Sequence, residues 1–164
     1  MKKKAPVKAK AAKKSKSTKL SRSEFEAKLK KIKMLLLDVD GVLTSGELFF
    51  TKGQGWTRIY HVHDGYGIRH MLRQGFPIGI ISGGRSEELF ERVNVLGIEH
   101  YVLGSEDKLS SMIELSNKTG IAPKEMAFIG DEIFDIPALQ EVGLAITVPT
   151  CAPEFKDIAH WVTT

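Results

Sequence analysis

Leu35-Leu36-Leu37-Asp38-Val39-Asp40-Gly41-Val42-Leu43-Thr44 sets an apolar run against two carboxylates one residue apart, then a glycine. The run predicts a strand over Met34–Val39 that ends in a sharp turn. Side chains on a strand alternate faces, so Asp38 and Asp40 share a side wherever the extended geometry persists. Two carboxylates held together at the carboxyl end of a buried strand are costly unless a proton or a cation lies between them. Mg²⁺, a hard ion that takes oxygen ligands and keeps several waters, meets that need. A bare Asx-rich turn after a core strand is the alternative, and the residues downstream decide against it.

Those residues come in order along the chain. Ile78-Gly79-Ile80-Ile81-Ser82-Gly83-Gly84-Arg85 is a second apolar strand, ending in a hydroxyl and two glycines. Lys108 opens a helical pattern, and Met126-Ala127-Phe128-Ile129-Gly130-Asp131-Glu132-Ile133-Phe134-Asp135 is a third strand ending in acids. Ligands of doubly wound α/β folds bind beyond the carboxyl ends of the strands, so the three ends can converge on one crevice. Together they supply a carboxylate nucleophile, a hydroxyl beside backbone N–H donors, an ammonium and a metal-binding carboxylate. That set suits phosphoryl transfer, where positioning and charge neutralisation do most of the catalysis.

Composition bounds the rest. At 164 residues the chain can build one α/β domain with a real core and is short for two. Cys151 stands alone, which excludes an internal disulfide framework and suits a reducing compartment. No apolar run reaches membrane-spanning length, and the basic start has no apolar core of a secretory signal, so a cytoplasmic protein is expected. Residues 1–19 hold nine lysines and no acid; taking that +9 from the whole-chain +4 leaves −5 on the remainder. A segment of Lys, Ala, Ser and Pro buries too little apolar surface to fold alone and is expected to be a solvated, disordered extension. No aromatic interleaves its lysines, which argues against single-strand nucleic-acid binding.

The expected division is a basic tail with a short helix over 1–31, then an α/β domain over 32–164. In the short helix Ser23 and Glu26 form a capping box, with Phe25, Leu29 and Ile32 on one face. A hairpin (47–51 and 57–62) follows the first strand. Then come helix 65–74, strand 78–81, helix 86–96, strand 100–103, helix 108–119, strand 126–129, helix 133–141 and strand 144–148. Strands alternating with amphipathic helices mean a parallel sheet between helical layers.

Asp38-Val39-Asp40-Gly41-Val42-Leu43-Thr44, His63-Asp64-Gly65-Tyr66-Gly67-Ile68-Arg69, Asp107-Lys108-Leu109, and Gly130-Asp131 with Asp135 give the chain a specific likeness. From about Ile32 to Thr164 it resembles the haloacid dehalogenase (HAD) phosphatases, and within them the 3-deoxy-D-manno-octulosonate 8-phosphate (KDO 8-phosphate) phosphatase family. The resemblance implies a Rossmann-like HAD fold: a three-layer parallel sheet with a β-hairpin flap. It implies no cap domain, since neither Asp40–Ser82 nor Lys108–Asp131 has room for one. Family members cover an open site by forming homotetramers, and Leu48, Phe49, Phe50, Trp56, Ile59 and Tyr60 of the hairpin would serve that interface.

The resemblance also implies roles. Asp38 is the nucleophile and Asp40 the acid–base group. Mg²⁺ is held by the carboxylates of Asp38 and Asp131 and the main-chain carbonyl of Asp40. Ser82, the Gly83 N–H and Lys108 bind phosphoryl oxygens. Asp135 orients Lys108 from behind, and Glu132 stands where relatives carry a second aspartate. His61, Val62, His63, Asp64, Gly65, Arg69, Arg85 and Arg92 are the substrate-binding candidates. Arg69 and Arg92 suit a sugar carboxylate best, while Arg85 falls one residue after the family's arginine, whose place Gly84 takes. Relatives continue past the last strand into a Gly-rich segment and a helix, whereas this sequence ends at Trp161-Val162-Thr163-Thr164. KDO 8-phosphate is the first expected substrate. A nine-carbon sugar-acid 9-phosphate of the KDN or sialic-acid type, or a broad range of small phosphates, is the alternative. A non-catalytic HAD-like scaffold is the reading from another class.

Overall fold

The computed structural model describes residues 20–53 and 55–164. The basic segment 1–19, with the extension expected there, lies outside the described residues. Among the described residues no helix is long and apolar enough to cross a membrane.

The opening run forms β1 (Met34–Leu37), at the centre of a six-stranded parallel sheet. β4 (Ile78–Ser82) and β5 (His100–Leu103) extend the sheet to one side. β6 (Met126–Ile129), β7 (Leu144–Thr147) and β8 (Trp161–Val162) extend it to the other, giving the order β5-β4-β1-β6-β7-β8. The chain thus works outward from β1 in one direction and then returns to work outward in the other. The crevice left by that reversal opens at the carboxyl ends of β4, β1 and β6.

Both faces of the central strands are covered, which is why they read as unbroken apolar runs. Met34 and Leu36 join Met112, Leu115, Phe128, Leu139 and Phe155 in one core. That core lies against α4 (Lys108–Thr119) and α5 (Ile136–Glu141). Leu37, Ile78 and Ile80 join Leu89, Val93 and Leu96 in the other, beneath α2 (Val62–Arg73) and α3 (Glu87–Leu96). Each fully buried side chain such as Leu36 contributes roughly 1.5–3 kcal/mol. The expected three-layer α/β architecture is the one observed.

Several boundaries move, each for a local reason. The cap of α1 (Arg22–Leu29) is Ser21 with Glu24, not Ser23 with Glu26: Ser21 Oγ accepts the Glu24 N–H, and Glu24 takes the Ser21 N–H. Phe25 packs on Trp161 with ring centroids 4.4 Å apart and Ile32 is buried just past the helix, but Leu29 stays half exposed. The hairpin is shorter than expected, β2 (Phe49–Thr51) against β3 (Gly55–Thr57), with only a Thr44–Tyr60 bridge beyond it. Its second arm stops because Arg58 turns inward and His61 begins a helix: His61 Nδ1 accepts the His63 N–H, so α2 starts at Val62 instead of Gly65. The helix expected over 133–141 splits into a 3₁₀ turn, Ile133–Asp135, and α5. Pro137 has no N–H to donate back into that turn and fits only a first helical turn. The last two residues before the terminal threonines, unassigned in the sequence, pair with β7 as β8.

Candidate active site

Asp38 follows β1 directly, and its N–H is still bonded to the Ile129 carbonyl of β6, so the sheet itself fixes where the carboxylate emerges. It is almost fully buried. Its Oδ1 accepts from Lys108 Nζ at 2.7 Å and from the Val39 N–H at 2.7 Å. Both bonds fall on one oxygen; Oδ2 accepts none among the described residues. Lys108, buried at the first turn of α4, also donates to the Ile81 carbonyl at 2.8 Å and faces Asp135 Oδ1 at 3.4 Å.

Asp131 follows β6, as Asp38 follows β1. Asp38, Asp131 and Asp135 each bring one oxygen within 4.8 Å of the others. Asp135 is already committed: its Oδ2 takes the N–H groups of Asp131 and Glu132, both at 3.0 Å. It therefore holds the loop that carries Asp131 and lies behind Lys108. Two glycines make these approaches possible. At Gly41, with φ +83°, a Cβ would stand 2.0 Å from Asp131 Oδ2; at Gly130 it would stand 2.5 Å from Asp135 Oδ2.

The cluster is short of positive charge. Burial first, then the charge of Asp135, lift the Asp38 carboxyl to about 6 despite Lys108. Burial and then the charges of Asp38, Asp135 and Glu132 lift Asp131 to about 7. Asp131 Oδ1 is buried and accepts no hydrogen bond among the described residues. An all-oxygen set with an orphaned carboxylate oxygen fits a hard divalent cation, which would restore the charge that burial now opposes.

Above this cluster lies a pocket of about 170 Å³ lined by Asp38, Asp40, Gly83, Gly84, Glu106, Lys108, Glu132 and Phe134. Ser82, the residue before Gly83 of that lining, is fully buried, its Oγ accepting the Gly84 N–H at 3.1 Å. Asp40 has turned away from the carboxylate cluster and pairs with Arg58. The other substrate-binding candidates are not brought to this pocket. Arg85 lays its stem along Gly104 and is exposed. Val62, Gly65, Arg69 and Arg92 line a second pocket of about 330 Å³ that shares no lining residue with the first. There the Arg92 guanidinium lies 4.9 Å from the Tyr60 ring centre and packs against Gly65, where a Cβ would come within 2.8 Å. His61 and Asp64 line a third pocket beside Thr44, while His63 is exposed and edge-on to His61. Within one chain, the segment 61–65 thus builds the start of α2, and neither it nor the three arginines lines the pocket at the strand ends.

Arg58, Glu106 and Phe134 belong to the site or its wall but carried no signal in the sequence. Arg58 is an isolated cation in a hairpin arm, and only tertiary packing turns it inward.

Residues 72–164 match the haloacid dehalogenase-like hydrolase family. The KDO 8-phosphate phosphatase of Escherichia coli is 36% identical over 86% of this chain and 75% of its own length. That of Yersinia pestis is 36% identical over 80% of this chain and 71% of its own. A crystal structure of the Moraxella catarrhalis KDO 8-phosphate phosphatase, in complex with magnesium ion, phosphate ion and KDO, superposes with a TM-score of 0.83. It is 33% identical and covers 88% of this chain and 83% of that one. With the sheet order, the strand-end acids and Lys108 in place, the chain belongs to the haloacid dehalogenase-like hydrolases and, among them, to the KDO 8-phosphate phosphatase family.

Proposed function

We propose that this protein is a Mg²⁺-dependent phosphatase that hydrolyses KDO 8-phosphate to KDO and inorganic phosphate. The observation that carries the reading is the buried Asp38 in the pocket lining, with one oxygen fixed by Lys108 and the other accepting no hydrogen bond among the described residues. Asp38 Oδ2 attacks phosphorus as the ester P–O bond breaks, and Asp40 gives its proton to the departing alkoxide oxygen. The Asp40 carboxylate then takes a proton from water as that water attacks phosphorus; the bond to Asp38 breaks, and both aspartates return to their starting states. Lys108 and the Gly83 N–H neutralise the phosphoryl oxygens, with Ser82 as a further donor. Asp38, Asp131 and the Asp40 carbonyl would hold Mg²⁺, which when bound supplies charge neutralisation at the transferring group. Glu132, exposed beside Asp131, would reach the ion's waters and not the ion itself.

Assembly follows from what one chain leaves uncovered. Phe50, Trp56 and Ile59 are more than half exposed on the hairpin, and a two-stranded hairpin is marginal alone. We place this surface in a homotetramer interface. A role for Arg69 and Arg92 toward the sugar carboxylate requires a neighbouring copy to bring its catalytic pocket to them. A cytoplasmic location suits the single free, buried Cys151.

The test is a panel of sugar phosphates with purified protein. KDO 8-phosphate should be hydrolysed with the highest kcat/KM, activity should vanish with EDTA, and Mg²⁺ should restore it. Preference for a nine-carbon sugar-acid 9-phosphate would move the substrate assignment, and full activity after exhaustive chelation would overturn the metal site. Sedimentation should give a tetramer that Phe49→Ser with Phe50→Ser weakens; a wild-type monomer at micromolar concentration would refute the interface.

A further inference from the structure

Arg58 leaves the end of β3 and turns inward until its side chain is only 5% exposed. Its guanidinium meets the Asp40 carboxylate edge to edge: Nε donates to Oδ1 at 2.6 Å and Nη2 to Oδ2 at 2.9 Å. The remaining corner, Nη1, donates to Ser86 Oγ at 2.9 Å and to Glu88 Oε2 at 3.3 Å. The Ser86 hydroxyl donates to that same Glu88 oxygen, and the Tyr60 hydroxyl donates to Glu88 Oε1 at 2.9 Å. One planar cation is thus clamped between the pocket carboxylate and the first turn of α3.

The backbone around it is shaped to admit it. At Gly84, in the turn after β4, a Cβ would stand 2.5 Å from Arg58 Nη2 and 3.3 Å from Cζ. Any side chain at position 84 would displace the guanidinium. Gly84 and Asp40 both line the catalytic pocket, so the arginine and the glycine form one fitted contact at its wall.

We propose that Arg58 is a positioning residue for Asp40, the hairpin's contribution to proton transfer, held in turn by Glu88, Ser86 and Tyr60. The proposal rests on the phosphatase reading with Asp40 as the acid–base group. Asp40 sits in a turn after the strand has ended, where the sheet no longer fixes its side chain. A two-point fork sets both the position and the plane of a carboxylate, which one ammonium cannot do. It uses one lone-pair direction on each oxygen and leaves the others for the transferred proton. Placement matters because an acid–base group must come within hydrogen-bond reach of the leaving oxygen, and small misplacements cost rate steeply.

The experiment compares two esters. An alkoxide leaving group, as in KDO 8-phosphate, needs a proton as it departs; 4-nitrophenolate does not. The ratio kcat/KM covers the steps up to that departure, so it reads the placement of Asp40 for the first ester and hardly for the second. Arg58→Gln should lower kcat/KM by at least about tenfold on KDO 8-phosphate and by less than about threefold on 4-nitrophenyl phosphate. Arg58→Lys, which keeps the charge and loses the fork, should show the same discrimination. Gly84→Ala, which displaces the guanidinium without removing it, gives the same reading should the Arg58 variants fail to fold. Equal losses on both esters would overturn the proposal and make Arg58 a phosphate-binding or purely structural group; so would unchanged kinetics on both. A wild-type protein that turns over neither ester would instead refute the phosphatase reading, and this role with it.

Discussion

The pocket is built from two regions that hold their charges by different means. On the strand-end side, Asp38 and Asp131 emerge where parallel strands stop and Lys108 rises from the start of α4; buried hydrogen bonds fix the Asp38 carboxylate, the Lys108 ammonium and the backbone of Asp131. On the hairpin side, Asp40 sits in a turn and is steadied by Arg58, which comes from an arm whose outer surface is exposed. The first region is rigid because the sheet makes it so. The second is ordered by a chain of side-chain contacts from Asp40 through Arg58 to Glu88 and Tyr60. In the proposed mechanism the nucleophile and the metal site belong to the strand-end part, and proton transfer to the part that answers to the hairpin. Losses in the first region should therefore be near-total and independent of leaving group, and losses in the second graded and leaving-group dependent.

The largest expected effect is Asp38→Asn. An amide cannot attack phosphorus and is a poorer ligand for a hard cation, so kcat should fall by at least about 10³-fold on both alkyl and aryl esters. The buried amide keeps its volume, and a folded thermal transition should persist. Clean folded variant turning over at near-wild-type rates would end the covalent mechanism and, with it, the contrast between the two regions.

Gly41→Ala comes next and attacks the rigid side without touching a charged group. Its φ of +83° disfavours an L side chain, and the new Cβ would meet Asp131 Oδ2 at 2.0 Å. The left-handed backbone alone costs about 1–2 kcal/mol, and Asp131 must also shift. Mg²⁺ affinity, measured by titration calorimetry, should fall by about tenfold or more, since metal sites tolerate little displacement of a ligand. Unchanged Mg²⁺ affinity would remove Asp131 from the ligand set.

The same contrast governs what could be read before the fold was known. Strand-end residues are legible because a short apolar run followed by Asp or Ser fixes both the element and the place where the side chain leaves it. Asp38, Ser82 and Asp131 stand out in that way, and Lys108 as the opening of a helical pattern; the parallel sheet brings the strand ends to one crevice. Arg58 had no such frame: a lone arginine in a hairpin arm reads as a solvated charge, and its partners Asp40 and Glu88 lie 18 and 30 residues away. The arginines expected at the substrate present the opposite case. Their family positions were matched residue by residue, but Arg69 and Arg92 sit on helices whose outward faces line a different pocket of the same chain. Family matching fixes a residue's place along the chain, and not which copy's site it serves. At the amino end, Ser21 and Glu24 carry the same cap spacing as Ser23 and Glu26, and the choice between them rests on where Phe25 finds Trp161.

The smallest effect lies at the far edge of the sheet, where β8 is added by His160. Its Nδ1 accepts the Ala145 N–H at 2.9 Å, its own N–H bonds to the Ala145 carbonyl at 2.8 Å, and its carbonyl receives the Leu20 N–H. A ring nitrogen that accepts must be unprotonated. Burial first, then the charges of Lys28 and Lys124, hold the His160 pKa below the usual value of 6.5. As pH falls the unfolded chain therefore binds the proton before the folded one does, so the stabilisation is present above the unfolded pKa and is lost as pH drops through the lower, folded one. Asp38 and Asp131 act oppositely in metal-free protein: their raised values mean that stability from them grows as pH falls from about 7. The two contributions separate in a variant comparison. His160→Asn should flatten only the acid-side loss. Relative to wild type, its Tm should fall less between pH 7 and pH 5, by about 1–2 °C, with EDTA present throughout. Identical pH slopes for the two proteins would mean that His160 does not gate this edge. The edge strand would then rest on Phe25, Trp161 and the backbone ladder alone.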